Sequence, residues 1–230
     1  MTLFNFSNLF RTFFIVSSIL FFTHNYARAD DISLLPKYGL VEKTDAQKET
    51  DKKFIRSMDD FFKGDRKVAS QKVAEKGWEY LRQGQTVDAM RRFNQAWLLD
   101  PKNGYAIWGM GILQSSIAGK QIVGLALFEE AAILLPDDLD FAVDHARTIS
   151  IVGAQYQNKS IIKNAQERFE KIYARAPHHV MNLQNWAIMY FYLGDYAEAW
   201  KKVKLAEAAP RSEEIDAKFL AMLQEKMPRP

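Results

Sequence analysis

Residues 180–210 read VMNLQNWAIMYFYLGDYAEAWKKVKLAEAAP, and this stretch decides the fold. Leu183, Trp186, Ala187 and Tyr190 recur at the i, i+3, i+4, i+7 spacing of a single helical face. Gly194-Asp195-Tyr196 then turns the chain, glycine being the residue that enters a left-handed turn without steric cost. A second face follows at Ala199, Val203 and Ala206, and Pro210 stops it. Small residues on either side of a bulky one let two helix backbones approach while the bulky side chain fills the gap. The stretch is therefore helix, tight turn, helix, stop.

The same pattern recurs upstream. Pro101, Pro136, Pro177 and Pro210 lie 35, 41 and 33 residues apart. Ahead of the first three stand Ala89, Phe93 and Ala96; Gly124, Phe128 and Ala131; and Ala165, Phe169 and Ile172, all at i, i+4, i+7. Gly84, Gly119 and Gly153 are predicted to end the first helix of each earlier unit, as Gly194 does in the fourth.

Helix, turn, helix and proline repeated at about 34 residues resembles the tetratricopeptide repeat family over roughly residues 70–210. Gly77, Tyr80, Gly84, Ala89, Phe93, Ala96 and Pro101 carry the match in unit one, and Trp108, Gly119, Phe128, Ala131 and Pro136 in unit two. Unit three matches least, with about seven extra residues near 155–160 and Ile172 where a small residue is usual. The resemblance implies an all-α, right-handed α-α superhelix, a solenoid of about four repeats over residues 67–210. Repeats bury their apolar faces by stacking, so the array needs ends. Thr44 and Gln47 have capping-box spacing ahead of a helix to about Phe62, with Phe54, Met58 and Phe61 as its stripe. Residues 30–43 lack a helical period and are expected to form an extended or mobile arm, so 30–66 is the N-terminal arm and cap. Within 211–230, Ser212 is expected to cap a helix with Glu213 and Glu214 in its first turn and Ile215, Phe219 and Met222 as its stripe.

In the tetratricopeptide family the first helix of each repeat lines a concave groove. Carried over by position, the groove falls on Trp78, Leu81 and Arg82; Leu113, Ser116 and Ile117; Arg147, Ser150 and Ile151; and Gln184, Ile188, Phe191 and Tyr192. Trp78 lies off the packing face of Val73, Gly77 and Tyr80, and aromatic residues with arginine are the usual composition of binding hot spots. The alternative is that these residues pack beneath the N-terminal arm or the C-terminal helix. The Lys/Asn ring with which some members clamp a C-terminal carboxylate is not matched, since Ala74 and Trp78 occupy the corresponding positions.

Residues 13–22, FFIVSSILFF, are an apolar run too short to span a bilayer comfortably, followed by Ala27-Arg28-Ala29. This predicts a signal peptide over 1–29 cleaved after Ala29, leaving no stable membrane span, and a periplasmic protein, with secretion as the alternative. The chain carries 31 Lys and Arg against 28 Asp and Glu, and removal of the leader leaves 29 against 28. That balance gives no sequence-wide electrostatic case for nucleic acid or an anionic membrane surface. The chain has no cysteine, which excludes disulfides and thiol chemistry.

Catalytic and cofactor patterns are weak. His178-His179 has no evident third ligand, Ser150, His145 and Asp144 share one helix without a nucleophile turn, and Gly109-Met110-Gly111 lacks a third glycine and a strand. The Asp137–Asp144 acids do not have calcium-loop spacing, and Asn158-Lys159-Ser160 is a glycosylation sequon only in a eukaryotic secretory host. The expectation is no enzyme, no cofactor and no metal. The leading reading is an exported scaffold, adaptor or inhibitor that binds a protein or peptide in its groove. The alternative is a carrier of an apolar small molecule or lipid.

Overall fold

The computed structural model describes residues 31–210 and 215–230. Among them are ten α-helices and no strand: α1 (Asp45–Phe61), α2 (Arg66–Arg82), α3 (Thr86–Leu99), α4 (Gly104–Ser115), α5 (Gln121–Leu134), α6 (Leu139–Gln155), α7 (Lys159–Arg175), α8 (Val180–Leu193), α9 (Tyr196–Glu207) and α10 (Ala217–Lys226). α2/α3, α4/α5, α6/α7 and α8/α9 pack as hairpins, each against the next, in the four units expected. The leader, its cleavage site and the Ser212 cap with Glu213 and Glu214 lie outside the described residues.

The loops between hairpins share one chemistry. Two residues after Pro101, Pro136 and Pro177 stands a capping side chain: Asn103 Oδ1 accepts from Ala106 N (3.0 Å), Asp138 Oδ1 from Phe141 N (2.9 Å) and His179 Nδ1 from Asn182 N (3.3 Å). Proline ends one helix, and the cap satisfies a free N–H of the next. Within units, Gly84, Gly119 and Gly194 take left-handed φ of 74°, 81° and 78°. Unit three differs from expectation. Gly153 lies inside α6, where an added Cβ would come within 2.8 Å of Ile162, and the left-handed residue is Gln157 (φ 50°). The extra residues do not form a long loop. They lengthen both helices, so that α6 and α7 have 17 residues each against 12 and 14 in α4 and α5. Seven residues make about two turns, and one turn per helix keeps the apolar faces in register.

The core is built around one bulky residue per second helix. Phe93, Phe128 and Phe169 are fully buried, as is Val203 in unit four. Phe93 is gripped between two first helices: a Cβ at Gly77 would sit 2.6 Å from its ring, and one at Gly109 2.2 Å. Close approach, not turn geometry, demands glycine at both positions.

The N-terminal arm is not extended. It winds through two 3-10 turns, and Lys37, Tyr38 and Leu40 take left-handed φ of 53°, 56° and 53°. Such a run is unfavourable for L-residues and is held by its contacts. Tyr38 is buried, its N–H donates to Asn94 Oδ1 (3.3 Å), Asn94 Nδ2 returns bonds to Ser33 O and Leu35 O, and Lys37 pairs with Glu130. The arm is thus seated on the second helices α3 and α5. α1 starts at the expected capping box, but none of its residues is buried, and Phe61 is 78% exposed. α10 begins later than expected, capped by Asp216, with Ile215 ahead of it. Phe219 and Leu223 are buried against Ala187, Phe191, Trp200 and Val203, and Trp200 Nε1 donates to Met227 O (3.0 Å).

Candidate partner-binding face

Polar contacts between loops fix how the units align. Asn103 Nδ2 donates to Ser70 Oγ (2.8 Å), Tyr105 Oη to Asp138 Oδ2 (2.8 Å), and His179 Nε2 meets Asp140 Oδ1 (3.1 Å). These bonds join the starts of α2 and α4, of α4 and α6, and of α6 and α8. All four first helices therefore begin on one edge, the proline edge, and their turns into the second helices lie on the opposite edge. Sequence reasoning did not find these contacts. Their signal is the capping-type residue two places after each proline.

The residues assigned to the groove divide into three sets. Some are core. Leu113 is buried in the cluster shared by units one and two, Ser150 is buried with its Oγ bonded to Arg147 O (2.7 Å), and Trp78 is half-buried. The Trp78 ring meets Phe93 at 5.6 Å and Trp108 at 4.6 Å, both edge-on, so packing does require this indole. A hot-spot role for Trp78 rests on its outer edge alone. A second set is covered by the C-terminal segment. Gln184 is buried and its Oε1 accepts from Asp216 N (2.6 Å), Phe191 meets Phe219 edge-on at 5.9 Å, and Ile188 and Tyr192 pack in the same cluster. The covering of unit four by its own chain is realised. The third set is accessible: Arg82, Ser116, Ile117 and Arg147 are exposed, and Leu81 and Ile151 half-buried. Neither arginine forms an ion pair among the described residues.

Between Trp78 and Arg147 runs a line of aromatic and acidic groups. Trp108 packs edge-on against Phe141 (5.6 Å), and its Nε1 donates to Asp144 Oδ2 (3.2 Å). Burial pushes the Asp144 carboxyl above its usual range, with the Arg147 guanidinium and the indole N–H opposing. Tyr192, beside the same arginine, has its phenol pushed up by burial.

His145 and His179 each bridge neighbouring helices. His145 is buried and stacked on Phe128 (5.6 Å), with Arg168 Nη1 donating to its Nδ1 (3.2 Å) and its Nε2–H donating to Glu129 Oε1 (3.0 Å). Burial first, and Arg168 second, hold it below the usual imidazole range, so the ring is neutral at pH 7. It ties α5, α6 and α7 together. Ser150 turns to the backbone and Asp144 to Trp108, so the three residues that could spell a triad do not meet. Both nitrogens of His179 are taken by its cap and by Asp140. Gly109 and Gly111 lie against the rings of Phe93 and Phe128.

Compared with known proteins, the chain matches no family model and no curated protein. No helix of the described residues is long and apolar enough to cross a membrane.

Proposed function

We propose that this chain is an exported interaction module of the tetratricopeptide type, a right-handed solenoid that holds a protein or peptide partner along the first helices of units one to three. Residues 1–29 act as the cleaved leader and the periplasm is the working compartment. The module acts as scaffold, adaptor or inhibitor, not as an enzyme. One observation carries the reading. The arm packs on α3 and α5, and α10 packs on unit four, so both terminal segments leave Leu81, Arg82, Ile117, Arg147 and Ile151 open. Apolar side chains flanked by two exposed arginines, neither in an ion pair among the described residues, suit a peptide that brings aliphatic groups and carboxylates.

The test is capture of a partner from an envelope extract by the mature protein and by an Arg82→Glu/Arg147→Glu double variant. The expected result is a defined partner retained by the wild type and lost by the variant, with at least about a tenfold drop in affinity and an unchanged thermal midpoint. Equal retention by both proteins would place the partner elsewhere.

A further inference from the structure

The turn edge carries exposed apolar groups beside lysines. In units two and three it shows Ile117 (44% exposed), Ile122 (51%), Val123 (48%) and Tyr156 (55%), all in or beside the turns 116–123 and 155–159. Because the helix starts are bonded together on the proline edge, these turns project from one side. The cations among them are Lys120 and Lys159, both exposed and neither paired with a carboxylate among the described residues. The only acid in the turns of units one to three, Asp88, faces Arg91. In unit four Asp195 caps α9 and Glu198 pairs with Lys201. The whole chain is nearly neutral, but this edge is locally cationic and apolar.

From this we infer that the turn edge is a docking surface for an anionic lipid bilayer, with Ile122, Val123 and Tyr156 entering the headgroup region and Lys120 and Lys159 meeting lipid phosphates. Three features favour a bilayer over the other occupants. The apolar groups sit on projecting turns, whereas protein hot spots sit in packed, desolvated pockets. A second copy meeting this edge with its own would bring lysines and no carboxylate from the turns 116–123 and 155–159 to meet them. A tyrosine flanked by aliphatic residues and lysines is the composition that settles at a membrane–water interface. The inference does not depend on the groove: a protein can hold a peptide on its first helices with or without this edge on a membrane.

The chain has no cysteine, so a single Ile122→Cys carrying an environment-sensitive fluorophore reports this edge alone, and Lys102→Cys on the proline edge serves as the control. The mature protein is mixed at low salt with vesicles of phosphatidylglycerol and phosphatidylcholine, and with phosphatidylcholine alone. The expected result is a blue shift at position 122 and not at 102, on anionic vesicles only. Partition should fall about fivefold for each of Lys120→Glu and Lys159→Glu, while helicity is kept. A Val123→Ser variant should also weaken it. Three results would overturn the inference: no partition onto anionic vesicles at low salt, partition that ignores both lysine reversals, or sedimentation showing a dimer that the same variants dissociate.

Discussion

The two edges of the hairpin stack are made of the same kind of short loop and yet do opposite things. On the proline edge, Asn103, Asp138 and His179 each cap a helix, and Asn103–Ser70, Tyr105–Asp138 and His179–Asp140 tie each unit to its neighbour. On the turn edge of units one to three, the side-chain bonds are local: Asn158 caps its own helix and Ser116 Oγ returns to Leu113 O. The proline edge ties unit to unit, and it too exposes Val68, Tyr105 and Met181; the turn edge leaves apolar and cationic groups facing solvent without such ties. Alignment in a repeat protein depends on few contacts per joint, because each unit touches only its neighbours. Function can then be placed where alignment is not.

That contrast can be broken by substitution. Both edges depend on the core between them, so the largest effect belongs to Phe93→Ala, which empties the space between Gly77 and Gly109 and should cost about 3–5 kcal/mol in a denaturant titration. Trp78→Ala, at a half-buried indole packed on two rings, should cost about 2–3 kcal/mol by the same measurement. A loss near zero would return Trp78 to the surface. Asn103→Ala removes a cap and leaves buried Ser70 without one partner, for about 1–2 kcal/mol. On the turn edge, Lys120→Ala and Val123→Ser should each stay within about 0.5 kcal/mol. A turn-edge loss as large as that at Asn103 would erase the distinction between the edges.

The joint between units two and three adds a pH test. His145 faces Glu129 from α5 and Arg168 from α7, with Asp144 next to it on α6. Its folded pKa lies below the unfolded value, so the unfolded chain binds more protons, and stability falls as pH drops through the ordinary imidazole range toward the depressed value. Thermal midpoints measured from pH 7.5 to 5 should therefore decline, and His145→Gln should flatten that decline.

Much of the fold was legible because it rests on periodicity. The prolines, Phe93, Phe128 and Phe169, and the capping box at Thr44 and Gln47 are local signals that tertiary structure preserved. Unit three misled because Gly153 resembles its counterparts in sequence but serves close packing on Ile162, while Gln157 makes the turn. A glycine does not announce which of its two uses applies. The arm was misread for another reason: its order comes from Asn94 and Glu130, distant in sequence, and no local period reports such partners. Of the groove, exposure was legible at Arg82, Ile117 and Arg147, where long polar or terminal-turn side chains follow the helix face. At Gln184 and Phe191 the alternative read from the sequence holds, since the C-terminal segment packs over them.

The proposed partner lies along the first helices of units one to three. Photo-crosslinking amino acids placed singly at Arg82, Ile117 and Arg147, and at Gln95 and Lys171 on the second helices, test it in intact cells. One common adduct is expected from the first three positions and none from the other two. An adduct formed only from the second helices, or none from the first three, would contradict it.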